Sequence, residues 1–259
     1  MSLAHVILLL AAGLAAGTVN AIAGGGSLVT FPALLATGLP SVSANVTNSV
    51  AVFPGYVGSV LGSRRDLAEL SAEIGRRRIV ALFPTTIIGT TVGCVLLLAT
   101  PGKAFDRVVP FLVLGAGAVL AFQNRLRAVV GHPHEMSPRG RALSLHCMVL
   151  LGSVYGGYFG AALGVMLVAA LGLVLATSLA RVNALKNAIS ALVGLITLLV
   201  FALFGPVDWV DVAILAPATV TGGYAGAHLA RRLPAPVLRA VIVTFAGVVG
   251  VVLLVRAFD

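Results

Sequence analysis

The sequence predicts an all-α fold: a polytopic transmembrane helical bundle of two pseudo-symmetric, inverted repeats, each with a short, discontinuous helix after a Gly-rich break. Three observations predict it. The 259-residue chain is 59% hydrophobic, with a mean hydropathy of +1.08, and its apolar runs recur from end to end. Only 10% of residues are charged, against about 25% in soluble domains, too few to coat a soluble body of this size. Two of the apolar runs are too short to cross a bilayer, and each follows a cluster of glycines.

Ten apolar segments follow one another, at 3–23, 27–38, 42–62, 79–99, 108–123, 143–161, 164–177, 182–203, 212–229 and 237–255. A membrane-crossing helix needs roughly 20 apolar residues. The first segment ends in Ala-Ile-Ala like a signal peptide, but it lacks Lys or Arg at its start and is read as a membrane helix. The second follows Gly24–Gly26 and the seventh follows Gly156–Gly164. Both are read as half-helices or re-entrant pieces, tolerated only where protein buries them or where they line a cavity.

The loops orient the chain. Loop 64–78 carries Arg64, Arg65, Arg76, Arg77 and Arg78; loop 124–141 carries Arg125, Arg127, Arg139 and Arg141; loop 230–239 carries Arg231, Arg232 and Arg239. Together they hold 12 of the 17 basic residues, which places them in the cytoplasm and the protein in the cell (inner) membrane. Loop 100–107 has Lys103 and Arg107, and loop 205–211 has Asp208, Asp211 and no base, so both are placed outside. Odd crossing numbers between these loops require the two short segments to carry the chain across, with both termini outside. The re-entrant alternative would put Arg231 and Arg232 outside. The predicted units are a first repeat at 1–123, a cytoplasmic linker at 124–141 and a second repeat at 142–259.

A shift of 139 residues pairs Gly17 with Gly156, Gly25 with Gly164, Asn48 with Asn187 and Gly55 with Gly194. Both halves share one order: Gly-rich break, short apolar piece, Asn-containing helix start, long helix. Five segments per half invert the second relative to the first, and paired interrupted segments point to a transporter binding site. The competing reading is close helix packing, since GLAAG and GGYFG have small-xxx-small spacing.

All eight acids fall in predicted loops or at the terminus, which counts against an interior cation site. Lys186, one of two lysines, lies inside the segment 182–203 and marks a candidate site; the plainer reading is a lysine reaching the interface. Helix amino termini offer unpaired N–H groups and partial positive charge, and glycine admits close approach. Two such termini are expected in each half, one after the break and one at the Asn-rich start. The candidate substrate-binding residues are Asn20, Gly24, Gly25, Gly26, Ser27, Asn45, Thr47, Asn48, Gly164, Asn183, Lys186 and Asn187, and the substrate expected there is a small anion.

Other chemistries are less well supported. The net charge of +9 lacks an aromatic-basic platform, so nucleic acid is not an expected partner. Cys94 and Cys147 are read as buried small hydrophobes. His146 and His228 are read as packing residues, with coupling to a proton or other ion left open. His132 and His134, with Glu135, lie in a loop and make no matching metal cluster. No catalytic residue, metal or cofactor is expected.

The stretch GTVNAIAGGGSLVTFPALLATGLPSVSANVTNSVA resembles the first-half signature of the sulfite exporter TauE/SafE family, also called the toluene-sulfonate uptake permease family. The resemblance rests on Gly24–Gly26, Pro32 to Leu35, Gly38 to Pro40 and Ala44 to Thr47. YGGYFGAALGVM, RVNALKNAIS, GPVDW and GGYAGAHLARRL are similar to the second half. The resemblance implies a bacterial-type inner-membrane carrier, many of which are linked to sulfite, sulfonates or thiosulfate-like anions. The second half departs from the pattern: its short Gly-x-Pro is lost, and Lys186 stands where a small hydroxyl is usual. The reading at this stage is a secondary transporter of small, sulfur-containing or organic anions, not an enzyme. An anion channel, or a carrier of another small solute or cation, stays open.

Overall fold

A computed structural model describes residues 2–22, 25–122, 125, 137–175, 177–229 and 235–258. Gly24, Arg127, His132, His134, Glu135, Arg231, Arg232 and Asp259 lie outside the described residues, as do the side chains of His228 and Arg239. Among the described residues the fold is eleven helices and no strand. They are α1 (Leu3–Ile22), α2 (Ser27–Ala36), α3 (Ser41–Gly62), α4 (Arg64–Ile74), α5 (Arg76–Ala99), α6 (Gly102–Ala121), α7 (Pro138–Tyr158), α8 (Leu163–Val174), α9 (Leu179–Phe204), α10 (Trp209–Leu229) and α11 (Ala235–Phe258). Five of these are long and apolar enough to cross a membrane, namely α1, α5, α6, α9 and α11, and shorter apolar helices lie at Ser27–Ala36, Leu163–Gly172 and Trp209–Gly223.

The short pieces are short for local reasons. Gly25 stands at φ +93° before α2, and Gly38 at φ +96° follows it. Gly160 at φ +73° and Ala162 at φ +57° precede α8. A positive φ suits glycine and ends a helix, so the second break lies at Gly160–Ala162 and Gly164 falls in the first turn of α8. At about 1.5 Å per residue, α2 (10 residues) and α8 (12 residues) reach only about half of a 30 Å hydrocarbon layer. α2 is buried in the bundle by Leu28, Phe31 and Leu34.

Two expectations change: Cys147, expected to be buried like Cys94, is exposed on α7, and the first Arg-rich loop is largely helical. The loop 64–78 contains a helix, α4. Leu67, Leu70 and Ile74 share its inner face, and Leu70 is fully buried against the α8–α9 cluster. Gly75 at φ +93° separates α4 from α5. Of the arginines that mark the loop, Arg64 and Arg65 open α4, and Arg76, Arg77 and Arg78 open α5.

Contacts along each helix pair give its direction. On α9, Asn187 meets Ser59 and Ser63, Gly194 meets Phe53 and Tyr56, and Gly205 meets Val46, so α3 and α9 are antiparallel. Gly117 meets Ala246 and Gly250 meets Leu114, so α6 and α11 are antiparallel too. α1 runs parallel to α10, with Gly13 on Leu215 and Ala218 and Gly17 on Thr219 and Gly223. α5 runs parallel to α7, with Gly89 on Leu150 and Ser153 and Gly93 on Val154 and Tyr158.

The last two pairs are the tightest crossings. A Cβ on Gly17 would sit 2.1 Å from the Thr219 carbonyl oxygen, and one on Gly93 would sit 2.1 Å from that of Val154. No side chain fits there. Close approach through small residues is the usual helix contact in lipid. The packing reading of GLAAG therefore holds for Gly13 and Gly17, while Gly25 and Gly160 serve the breaks. On the outside, Ile88, Val95, Val248 and Val251 are exposed in bands suited to lipid.

Candidate functional site

Two adjoining cavities lie where α2 and α8 begin. The larger takes in roughly 450 Å³, open solvent included, and is lined by Asn20, Gly25, Ser27, Gly55, Tyr56, Ser59, Gly160, Ala162, Leu163, Gly164, Lys186, Asn187 and Ser190. The smaller, roughly 300 Å³, is lined by Ser27, Asn48, Ser49, Val52, Tyr56, Gly156, Phe159, Gly160, Leu163, Val193, Gly194 and Thr197. Ser27, Tyr56, Gly160 and Leu163 are common to both. No carboxylate is among these lining residues.

The candidate residues divide. Asn20, Gly25, Ser27, Gly164, Lys186 and Asn187 line the larger cavity, and Asn48 lines the smaller. Gly26 supports the site from behind: its N–H donates to Asn20 Oδ1 at 2.8 Å. That bond engages the Asn20 amide oxygen. Asn48 Oδ1 accepts from the Thr30 hydroxyl, tying α3 to α2. Asn187 donates from Nδ2 to the Ser59 carbonyl at 3.3 Å and to Ser63 Oγ at 3.0 Å, tying α9 to α3.

Asn45, Thr47 and Asn183 do not line either cavity. Asn45 Nδ2 donates to the Tyr158 carbonyl at 2.8 Å, and Thr47 Oγ1 accepts the Asp208 N–H at 2.9 Å. Both are buried ties between helices. α3 begins at Ser41 and α9 at Leu179, so the Asn-containing stretches lie inside these helices. The expected second pair of amino termini is therefore absent from the cavities. Ser178 caps α9 instead, accepting the Arg181 N–H. Gly24 lies outside the described residues.

The remaining pair of helix starts does meet the larger cavity. At α8 the Leu163 N–H is taken by the Gly160 carbonyl and the Val165 N–H by the Ala162 carbonyl. The Gly164 N–H between them has no backbone acceptor among the described residues. Half-buried Lys186 lies against this turn: a Cβ on Gly164 would be 3.3 Å from Lys186 Cδ and 3.6 Å from Nζ. A helix start and a lysine ammonium both carry positive charge. Cavity, glycine backbone and ammonium are thereby brought together.

Aromatic packing bounds the cavities on the side of the turn between α5 and α6. Phe31 and Phe159 stack edge to face at 5.3 Å between ring centroids, and Phe105 packs on Tyr158 at 5.7 Å. On the other side, Arg181 bonds Glu69 at 3.1 Å and Glu73 at 2.7 Å, and the Thr177 hydroxyl donates to Glu73 at 2.9 Å. α4 is thereby tied to the start of α9. Among the described residues no three His, Cys, Asp or Glu side chains are grouped to hold a metal ion.

Sequence reasoning missed Tyr56, Ser59, Ser190 and Gly160. Tyr56 and Ser59 lie late in α3, where nothing in the local pattern marks them. Ser190 could have been found: it follows Lys186 by four residues and shares its helix face.

The family model for the sulfite exporter TauE/SafE family matches residues 9–253. A probable membrane transporter protein of Haemophilus influenzae is 26% identical over 240 residues, covering 91% of this chain and 89% of that protein. The probable membrane transporter protein YfcA of Escherichia coli K12 is 26% identical over 246 residues, covering 92% and 86%. The probable membrane transporter protein ORF9 of a Sinorhizobium species is 25% identical over 229 residues, covering 88% and 84%. No solved structure gives a significant match. With its apolar spans, paired breaks and near-complete match, the chain belongs to the sulfite exporter TauE/SafE family of membrane proteins.

Proposed function

We propose that this protein is a secondary carrier of small oxyanions, sulfur-containing or organic, working by alternating access. One observation carries the reading. Lys186 and the first turns of α2 and α8 converge on a cavity whose lining holds no carboxylate. A sulfite-, sulfonate- or thiosulfate-like anion would meet an ammonium, helix-start N–H groups and hydroxyls there. The family's description and the relatives' names agree with a transporter.

The two halves, 1–123 and 142–259, act as inverted repeats in this reading, joined by the cytoplasmic linker 124–141. Antiparallel running of α3 with α9 and of α6 with α11 supports it. So does the matched exchange of α1–α10 for α5–α7. Rocking of one bundle on the other would expose the central cavity to each side in turn. The Arg-rich stretches around α4 face the cytoplasm of the cell's inner membrane. Proteoliposome flux of sulfite, thiosulfate, sulfonates and carboxylates tests the reading. Uptake of at least one, reduced about tenfold or more by Lys186→Ala, is the expected result. Anion uptake indifferent to Lys186 would end it.

A further inference from the structure

We infer that Ser190, with Tyr56 from the facing helix, contacts the transported anion and sets its affinity. The inference rests on the anion reading of the larger cavity and adds two residues to it.

Ser190 is 2% exposed, and its Oγ is buried with no hydrogen-bond partner. A buried hydroxyl without a partner is destabilising and rare in folded proteins. Serines inside helices usually return the hydroxyl to the carbonyl four residues back, as Ser49 does to Asn45 and Ser59 to Gly55. Ser190 does not. It lines the larger cavity one turn beyond Lys186, so hydroxyl and ammonium lie on one face of α9.

Tyr56 lines both cavities and makes no hydrogen bond among the described residues. Gly194 gives its ring room: a Cβ there would be 3.0 Å from Tyr56 Cδ2. The Asn20 amide already has its oxygen engaged by Gly26, so what it can offer a ligand is its NH₂. Ser190, Tyr56, Asn20 and Lys186 thus supply donors from α1, α3 and α9 to one space. An anion with several accepting oxygens satisfies them together. Ser153 is a built-in control. Its Oγ is equally buried and unpartnered, but it lines neither cavity.

The experiment is thermal unfolding of the detergent-solubilised full chain, titrated with sodium sulfite, thiosulfate or methanesulfonate. Wild type, Ser190→Ala, Tyr56→Phe, Ser153→Ala and Lys186→Ala are compared. Ser190→Ala should unfold at the wild-type temperature or above without anion, and bind the stabilising anion about tenfold more weakly. Tyr56→Phe should weaken binding similarly, and Ser153→Ala should leave it unchanged. Ser190→Cys, which keeps nearly the same volume with a poorer donor, should weaken binding too and guards against misfolding of the alanine variant.

Wild-type affinity in Ser190→Ala and Ser190→Cys, with Lys186→Ala unresponsive, would overturn this inference and leave the anion reading standing. A lower unfolding temperature for anion-free Ser190→Ala would also overturn it, because the hydroxyl would then have a structural partner. No stabilisation of wild type by any of the three anions would remove the anion reading and this inference together.

Discussion

At the scale of single residues, the site is a matter of which polar groups have work left after folding. Asn45 and Thr47 are consumed in ties to Tyr158 and Asp208. Asn187 is consumed in its bonds to Ser59 and Ser63. Asn187→Leu should therefore lower the unfolding temperature measured in detergent, corresponding to about 1–3 kcal/mol, because the Ser63 hydroxyl and Ser59 carbonyl lose a partner. Lys186 lines the larger cavity. It lies against Gly164 at the start of α8, where charge and helix dipole have the same sign. Lys186 could be singled out from sequence because a charge in an apolar segment is rare enough to be noticed. Ser190 could be reached through its four-residue spacing from Lys186, whereas Tyr56 could not, since a lone hydroxyl in a helix is common.

At the scale of elements, the breaks and crossings depend on glycine for two distinct reasons. Gly25 and Gly160 turn the chain, whereas Gly17 and Gly93 let two helices touch. Gly93→Val should cost about 1–3 kcal/mol or more of stability, because the new side chain meets the α7 backbone; thermal unfolding in detergent measures it. Helix α4 makes a separate case. Leu70→Ala should cost about 2–5 kcal/mol by removing a fully buried side chain from the α8–α9 cluster. Eight of the helices were legible as long apolar runs, and α2 and α8 as runs too short to cross. α4 was hidden because a helix that packs one apolar face at the water boundary has the charge of a loop. Arg64 and Arg65, read as topology markers, belong to its first turn. The exact break in the second half was hidden as well, since Gly156, Gly157, Gly160 and Gly164 are four candidates and packing chose Gly160.

At the scale of the whole molecule, α3 and α9 run antiparallel, as do α6 and α11, and close packing joins α1 with α10 and α5 with α7, which supports the proposed inverted repeats. This was only partly legible: the 139-residue shift finds matched glycines, but the directions come from contacts such as Gly194 on Tyr56 and Gly205 on Val46. The proposed orientation has its own test. In a Cys94→Ser, Cys147→Ser background, Arg77→Cys should react with a membrane-impermeant maleimide only in inside-out vesicles. Trp209→Cys should react in right-side-out cells; the reverse pattern would invert the topology. The central claim is that the cavity between the halves carries an anion through Lys186. Reconstituted protein loaded with sulfite, thiosulfate or methanesulfonate gradients tests it most directly. Wild type should move at least one of them, unlabelled anions should compete, and Lys186→Ala of normal thermal stability should lose about tenfold or more of the flux. Flux that only cations compete for, or that Lys186→Ala leaves intact, would contradict it.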